Sequence, residues 1–386
     1  MKKISLFAGL LLLAISTIQA KIRRVGYFGS IVSGTDYGSF ALAVTAASAG
    51  DTILIFPGAV ATGAINKKLI IIGTGNWIDP SSTPKGNDNQ QAFASTAGIS
   101  GSISFQTGSE GSVITGLYGA GATIYVGANN ITIRRNRNII VNLAYNTNGT
   151  ASNPITVNNL AILENYELAI NYSYNAAGFG HTNLNVSNNF MESFSLNTTL
   201  NTYNGNISNN IWAYDGTTTA TNGGASVLSS TGQIYLGNGA FLFQNNILCY
   251  YVNSSAANNS SNFIINDGGN TVFNYNVALQ SNNNIGIGAG TGNIVVPIAN
   301  AANIFADFPA IGTNTADARY RLKANSPALA ANRPGSSADA GMYGGTTPYK
   351  LSTLPSIPSI YSLSSPQGNN PSGTTIQINL STKGNN

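Results

Sequence analysis

An all-β solenoid of stacked coils is the fold class this 386-residue sequence predicts, and three observations predict it. The first is a five-residue unit, apolar–polar–polar–Asn–apolar, seen plainly in Val186-Ser187-Asn188-Asn189-Phe190. It returns at residues 207–211, 243–247 and 273–277, with looser copies at 133–137 and 162–166. Its asparagines are Asn136, Asn165, Asn189, Asn210, Asn246 and Asn276, so the steps are 29, 24, 21, 36 and 30 residues. Self-similarity at such a period marks a repeat architecture. The second observation is composition: 42% of the chain is hydrophobic and only 8% is charged, against roughly 25% charged in an ordinary soluble domain. Stacked coils place equivalent side chains beside one another, where like charges repel, so Asn, Ser, Thr and Gly carry the polarity instead. The third is that residues 52–56 and 69–72 are almost continuously apolar, as parallel strands buried on both faces are.

Taken in order, residues 1–20 read as a signal peptide: Lys2 and Lys3, an apolar run from Leu6 to Ile15, and the small-residue site Ile18-Gln19-Ala20. The apolar run is short for a membrane span, which needs about 20 residues, so an exported chain with no span after signal removal is expected. Its destination is then the periplasm, the cell surface or the medium. Cys249 is the only cysteine, which excludes an intramolecular disulfide and suits a small buried hydrophobe. Residues 21–345 form the solenoid. It opens with an edge strand in 21–37 and a short helix with Ser39 as N-cap and Gly50 as stop. That helix is expected to cover the exposed sheet end.

Residues 74–98, with Pro80 and Pro84, read as a surface excursion. Regular coils resume at Ile99 and run through 103–105, 113–114, 122–126 and 130–133. The long step between Asn210 and Asn246 places an outward loop at 215–232, and 175–180 suggests another. Residues 301–309 read as a turn or short helix. Residues 346–386 form a Pro-rich extended segment lying along the solenoid, ended by a strand at 374–380 where apolar residues alternate with period two.

Three stretches, GDTILIFPG at 50–58, KKLIIIGTG at 67–75 and GSEGSVITGL at 108–117, precede the Asn-marked coils. With the closing run Tyr320-Arg321-Leu322-Lys323, 325–328 and 339–345, the chain resembles secreted bacterial proteins of the pectin-lyase-like superfamily. The resemblance implies a single-stranded right-handed parallel β-helix with a short N-terminal capping helix. It also implies lyase, hydrolase, epimerase or non-catalytic surface roles, among which fold alone does not choose. In this fold the asparagines are expected to stack as an amide ladder inside one turn, taking the left-handed backbone there, with the flanking apolar residues facing the core.

The chemistry-bearing residues are few. Polysaccharide lyases of this kind use a Lys or Arg base and commonly acidic Ca²⁺ ligands, and hard cations need several converging oxygens. The 13 acidic residues here come no closer in sequence than Glu164 and Glu167, so no metal and no cofactor is expected. Trp77-Ile78-Asp79 is followed by Pro80 where the lyase pattern has His. The related hydrolases carry clustered aspartates, Gly-His-Gly and Arg-x-Lys; here stand Gly180-His181-Thr182, no adjacent aspartates, and Arg321-Leu322-Lys323 far into the closing segment.

Glu167 lies two places after its ladder asparagine and Glu192 three after its own, offsets that point to opposite faces and leave no carboxylate pair. His181, the one histidine, is the candidate general base. Arg135 and Glu164 share a register and are expected to pair between coils. Arg134 and Arg137 then remain without partners, as a docking patch for uronate or sulfate or as the base of a lyase. Tyr166, Tyr172, Tyr174, Tyr203, Tyr214, Tyr235 and Trp212 are candidate platforms for sugar rings, with Tyr172, Tyr174, Trp212 and Tyr214 joining the two arginines as binding residues. A net charge of +4 that includes Lys2 and Lys3 gives no footprint for nucleic acid. The expectation is a monomeric, secreted, non-catalytic protein that binds polysaccharide or acts at the cell surface. The alternatives are a divergent lyase on an acidic polysaccharide and a purely structural or adhesive surface protein.

Overall fold

The computed structural model describes residues 20–26, 32–76, 96–143, 156–171, 180–196, 202–215, 233–251, 264–280, 290–297, 300, 303–306, 317–356, 359–364 and 379–383. Two long parallel sheets dominate it, each of twelve strands among the described residues. Successive coils give one strand to each sheet. In the first sheet Ile22–Val25, Thr52–Ile55, Ile70–Ile72, Val113–Thr115, Thr132–Arg134, Ala161–Leu163, Gly180–Ser187, Thr202–Ser208, Ala240–Gln244 and Val272–Asn274 follow in spatial order. The second runs Val60–Ile65, Gly98–Phe105, Tyr118–Val126, Arg137–Asn142, Tyr166–Asn171, Phe190–Ser195, Ile211–Asp215, Ile247–Tyr251, Val277–Gln280 and Ile294–Pro297. This is an arrangement compatible with a parallel β-helix. Between the sheets lies a continuous core with Ile53, Ile71, Ile114, Ile133, Ile162, Val186, Ile207 and Phe243 on one wall and Ile124, Val141, Ile170 and Phe194 on the other.

The helix Phe40–Ala46 starts where the sequence places it, with the Ser39 hydroxyl accepting from the Leu42 amide at 3.4 Å, but it ends at Ala46, before the expected stop at Gly50, as Ala47 turns to extended backbone. Phe40, Ala43 and Val44 bury into the first coil. The strand Val60–Ile65 was not foreseen, because Gly63 interrupts its apolar pattern. Cys249 stands on the strand Ile247–Tyr251, and its side chain, like residues 216–232 and 172–179, lies outside the described residues. So do residues 77–95, most of the expected excursion at 74–98. The terminal strand Asn379–Lys383 is antiparallel to Ser359–Ser364, and of the expected 374–380, residues 374–378 lie outside the described residues.

The asparagine ladder runs from Asn136 through Asn165, Asn189, Asn210, Asn246 and Asn276 to Asn293. Each Oδ1 accepts both the backbone N–H and the Nδ2–H of the asparagine one coil before, at 2.8–3.2 Å. The first six members are buried, where an amide without partners would be costly. The left-handed residue, however, is the one before the ladder member: Arg135, Glu164, Asn188, Asn209, Asn245 and Tyr275 have φ between 53° and 59°. That explains the repeated Asn-Asn pair, whose first member tolerates left-handed backbone and whose second fills the ladder.

The apolar flanks also divide. Val186 and its equivalents face the core between the sheets, but Phe190, Ile211, Ile247 and Val277 face outward into a second apolar cluster. A strap formed by residues 317–356 covers them with Tyr320, Ala328, Ala340, Met342 and Tyr349. It is fastened to the left-handed column. Asn188 Nδ2 donates to the Met342 and Gly344 carbonyls at 3.0 and 2.7 Å, and Asn209 Nδ2 to the Asp339 carbonyl at 2.7 Å. Arg135 Nη1 reaches the Leu354 carbonyl at 3.0 Å and Ser356 Oγ at 2.7 Å. Gly341 takes a left-handed φ of 83°, which favours glycine.

Two neighbouring substitutions separate these roles. Asn189→Ala orphans buried amides of the ladder and should lower the unfolding free energy in urea by about 2–5 kcal/mol. Asn188→Gly keeps the left-handed turn and loses only the two bonds to the strap. It should leave global unfolding nearly unchanged while limited proteolysis cuts faster within 333–356. Equal losses of stability in the two variants would contradict this division.

Candidate functional site

Beyond the strap, the outer face of the second sheet is open, and alternation along its strands decides what it shows. Register aligns Ser102, Thr123, Ile140, Ala169 and Ser193 in one outward column. The next holds Ser104, Tyr125, Asn142, Asn171 and, continuing at the Ser195 level, Tyr235. Tyr125 is half-buried and Tyr235 exposed. This floor combines hydroxyls, amides and two phenol rings with the apolar Ile140 and Ala169, without a charge, and Ser104, Asn142 and Ala169 in it are buried.

Charged residues line its edge next to the strap. Arg137 Nε donates to Glu167 Oε2 at 3.0 Å, its guanidinium lies 5.2 Å from the Tyr118 ring centroid, and Asn138 Nδ2 adds a bond to Glu167 Oε2 at 3.3 Å. Backbone irregularity gathers them. Asn138 and Glu167 have φ of 52° and 55°, and Glu192 is the extra residue of a bulge, since Leu168 pairs with Met191 but Ala169 with Ser193. Bulges re-aim side chains in this way.

The outcome corrects the expectation of opposite faces for Glu167 and Glu192. Burial first, and then the charge of Glu167, push the Glu192 carboxyl up to about 7 against the pull of Arg137. The two glutamates therefore face the same edge. Glu192 has no hydrogen-bond partner among the described residues, so at neutral pH it can offer its proton to a ligand oxygen.

Arg134 and Arg137 are not the unpartnered cations the sequence suggested. Glu164 takes Arg134 Nη2 at 2.5 Å on Oε1 and Arg135 Nε at 2.7 Å on Oε2, so the foreseen pair is present and a second arginine shares it. Burial lowers the Arg137 guanidinium, but the charge of Glu167 and the hydrogen bonds to it outweigh that and raise it overall. A group held cationic so firmly is a poor proton acceptor.

His181 is interior. It is 1% exposed, lies parallel to Tyr203 at 6.0 Å, and its Nε2 meets the Leu143 carbonyl at 2.5 Å. Trp212 is also interior at 1% exposure, stacked on Phe243 at 5.4 Å, because the residue after the ladder asparagine faces outward and the next one inward. Tyr166 and Tyr203 are buried too. Tyr172 and Tyr174 lie outside the described residues, as does the side chain of Tyr214 on the strand Ile211–Asp215. The residues that sequence reasoning missed are Tyr118, Tyr125, Asn138 and Glu192. Alternation could have found Tyr125, but nothing local announces the bulges.

Among the described residues no group of three or more His, Cys, Asp or Glu could hold a metal ion, and no helix is long and apolar enough to cross a membrane. A separate cavity of about 700 Å³ lies at the last coil beside Val295, Pro297, Lys323 and Pro327. No family model, no curated protein and no solved structure matches this chain.

Two titrations should appear with opposite signs. Folding raises the Glu192 pKa from 4.5 to about 7, so the native state holds the extra proton and stability falls as pH rises through that window. Burial lowers the His181 pKa from 6.5 to about 4, so stability falls as pH drops through that one. In thermal melts between pH 4 and 8, Glu192→Gln should flatten the upper limb and leave the lower one. A Glu192→Gln profile parallel to that of the parent protein would count against the buried, partnerless carboxyl.

Proposed function

We propose that this chain is an exported, right-handed parallel β-helix of the pectin-lyase-like kind that binds polysaccharide on the outer face of its second sheet, without catalysis. The observation that carries this reading is the three-column face itself. Its two inner columns are uncharged: hydroxyls, amides and the phenols of Tyr125 and Tyr235, with Ile140 and Ala169 among them. The third is the edge of Tyr118, Arg137, Glu167 and Glu192, in which Arg137 is already neutralised by Glu167. Sugars offer hydroxyls to such donors and acceptors and C–H faces to aromatic rings. The helix Phe40–Ala46, packed on the first coil, serves as the N-terminal cap that blunts a sheet end. The basic–apolar–small pattern of residues 1–20 supports export, to the periplasm or the cell surface.

An uncharged floor favours neutral over acidic glycans. The raised, firmly paired Arg137 gives no support to a lyase base. One observation favours a second reading, glycoside hydrolysis: a protonated carboxyl, Glu192, stands at the same edge as Glu167, and glycosidases use two carboxyls in unlike protonation states.

A glycan array read at low and high salt tests the main reading. Neutral polysaccharide should bind with little salt dependence, and Tyr125→Ala with Tyr235→Ala should weaken it about tenfold, as loss of stacking surface does. Binding confined to uronates and abolished by salt would overturn it. Absence of any glycan binding would leave the structural or adhesive role. Release of reducing sugar that disappears in Glu192→Gln would establish the hydrolytic reading instead, and unsaturated uronate products would restore the lyase.

A further inference from the structure

A second ladder of asparagines lies on the outside of the solenoid, where the first sheet bends. Asn130, Asn159 and Asn183 have φ of 59°, 58° and 57° and are exposed. Asn159 Nδ2 donates to Asn130 Oδ1 at 2.8 Å, and Asn183 Nδ2 to Asn159 Oδ1 at 2.6 Å. The row continues one coil further, where Asn204 Oδ1 accepts the Asn183 amide at 2.8 Å. A parallel row lies beside it: Asn129 Oδ1 accepts the Asn158 amide at 2.8 Å, and Thr182 Oγ1 donates to Asn158 Oδ1.

The fold gains little from these side chains. Glycine meets a left-handed backbone with no steric penalty, and an amide bond in water replaces a bond to water almost evenly. The same coils are already fastened by the buried amides of Asn136, Asn165, Asn189 and Asn210. What the outer row adds is order. An asparagine amide has two N–H donors and two lone pairs, and Asn159 spends one of each on its neighbours. One donor and one acceptor per coil therefore face solvent, in the same orientation, at the coil spacing of about 4.8 Å.

From this geometry we infer that the Asn130–Asn159–Asn183 row is a binding site for an extended β-linked neutral polysaccharide, each amide bridging a hydroxyl pair on one sugar. An extended β-1,4-linked chain advances by about one coil height per sugar and turns over at each step, so equivalent hydroxyls recur every second coil, the separation of Asn130 and Asn183, while Asn159 meets the opposite edge of the sugar between them. A small mismatch in repeat limits the match to a few sugars, and the row offers three coils plus Asn204. The chemistry is neutral and preorganised, so little side-chain entropy is lost on binding. This site lies on the first sheet and does not rest on the second-sheet face proposed above.

The test uses the whole protein and microcrystalline cellulose, chitin and amylose as probes in depletion assays. Cellulose or chitin should deplete the parent protein and amylose should not. The double variant Asn159→Gly, Asn183→Gly should bind at least tenfold more weakly, with its unfolding midpoint close to that of the parent. To separate the two sites, the measurement is repeated in the Tyr125→Ala, Tyr235→Ala background, where the second-sheet face is weakened and the binding that remains should still fall when the two glycines are added. The inference is overturned if the glycine substitutions leave binding unchanged in that background, if amylose binds equally well, or if no β-linked polysaccharide is bound.

Discussion

The buried bond from each ladder asparagine to the next is the constraint on which the rest of this structure depends. One side chain satisfies a neighbour's backbone N–H, its amide, and a carbonyl of the coil before, as Asn189 does with Asn165 and Ile162. None of these groups can turn to water, so the register of one coil on the next is fixed to the residue. A slip of one would exchange the inner and outer faces of both sheets. It also fixes the conformation just upstream, since the chain must pass through a left-handed residue to bring the asparagine inward. That residue's side chain then points outward. The outer column of Arg135, Glu164, Asn188, Asn209 and Asn245 is thus a geometric consequence of the inner one, and the strap is held by it.

The ladder was legible because its signal is local, five residues repeated in near copies. The pairing of Arg135 with Glu164 was legible for the same reason, as both occupy one place in the unit. The errors arose where a side chain's reach or a backbone irregularity broke that simple register. Arg134 belongs to the adjacent column of the first sheet, yet its length brings Nη2 to the same glutamate. Glu167 and Glu192 seemed opposed by counting, but a left-handed residue in one strand and an inserted one in the next turn them to a common edge. Trp212 and His181 were misjudged by parity and isolation. An aromatic next to a ladder position faces outward or inward according to which side of Ile211 it stands. The closing run was expected, but where it docks could not be read, because its contacts join residues far apart in sequence, 130 positions for Asn209 and Asp339.

Most of the chain's described charges are spent internally. Arg23 with Asp51, Arg24 with Asp36, Arg134 and Arg135 with Glu164, and Arg137 with Glu167 form pairs in which the acid is nearly fully buried. Such pairs contribute little net stability once desolvation is counted, but they do fix positions: each links one coil to another or, through Arg135, to the strap. Arginine in this protein is a fastener, which is why its clustering at 134–137 was a poor guide to ligand binding.

With much of the charge committed to the frame, the outer faces are lined largely by neutral groups, and a solenoid repeats them at a fixed spacing. The outer face of the second sheet and the exposed amide row differ in shape but share this property. On each, one coil supplies one set of hydroxyls, amides or rings, and the next coil supplies another about 4.8 Å away. A compact ligand would meet only one set and gain little. A linear polymer meets several in succession, and each added contact is already oriented by the buried ladder behind it. Where the second-sheet register shifts, as at the bulge of Glu192, the repeat of neutral groups is broken by one acidic group. A regular polymer lying across that edge would present one sugar to a chemistry that its neighbours do not meet.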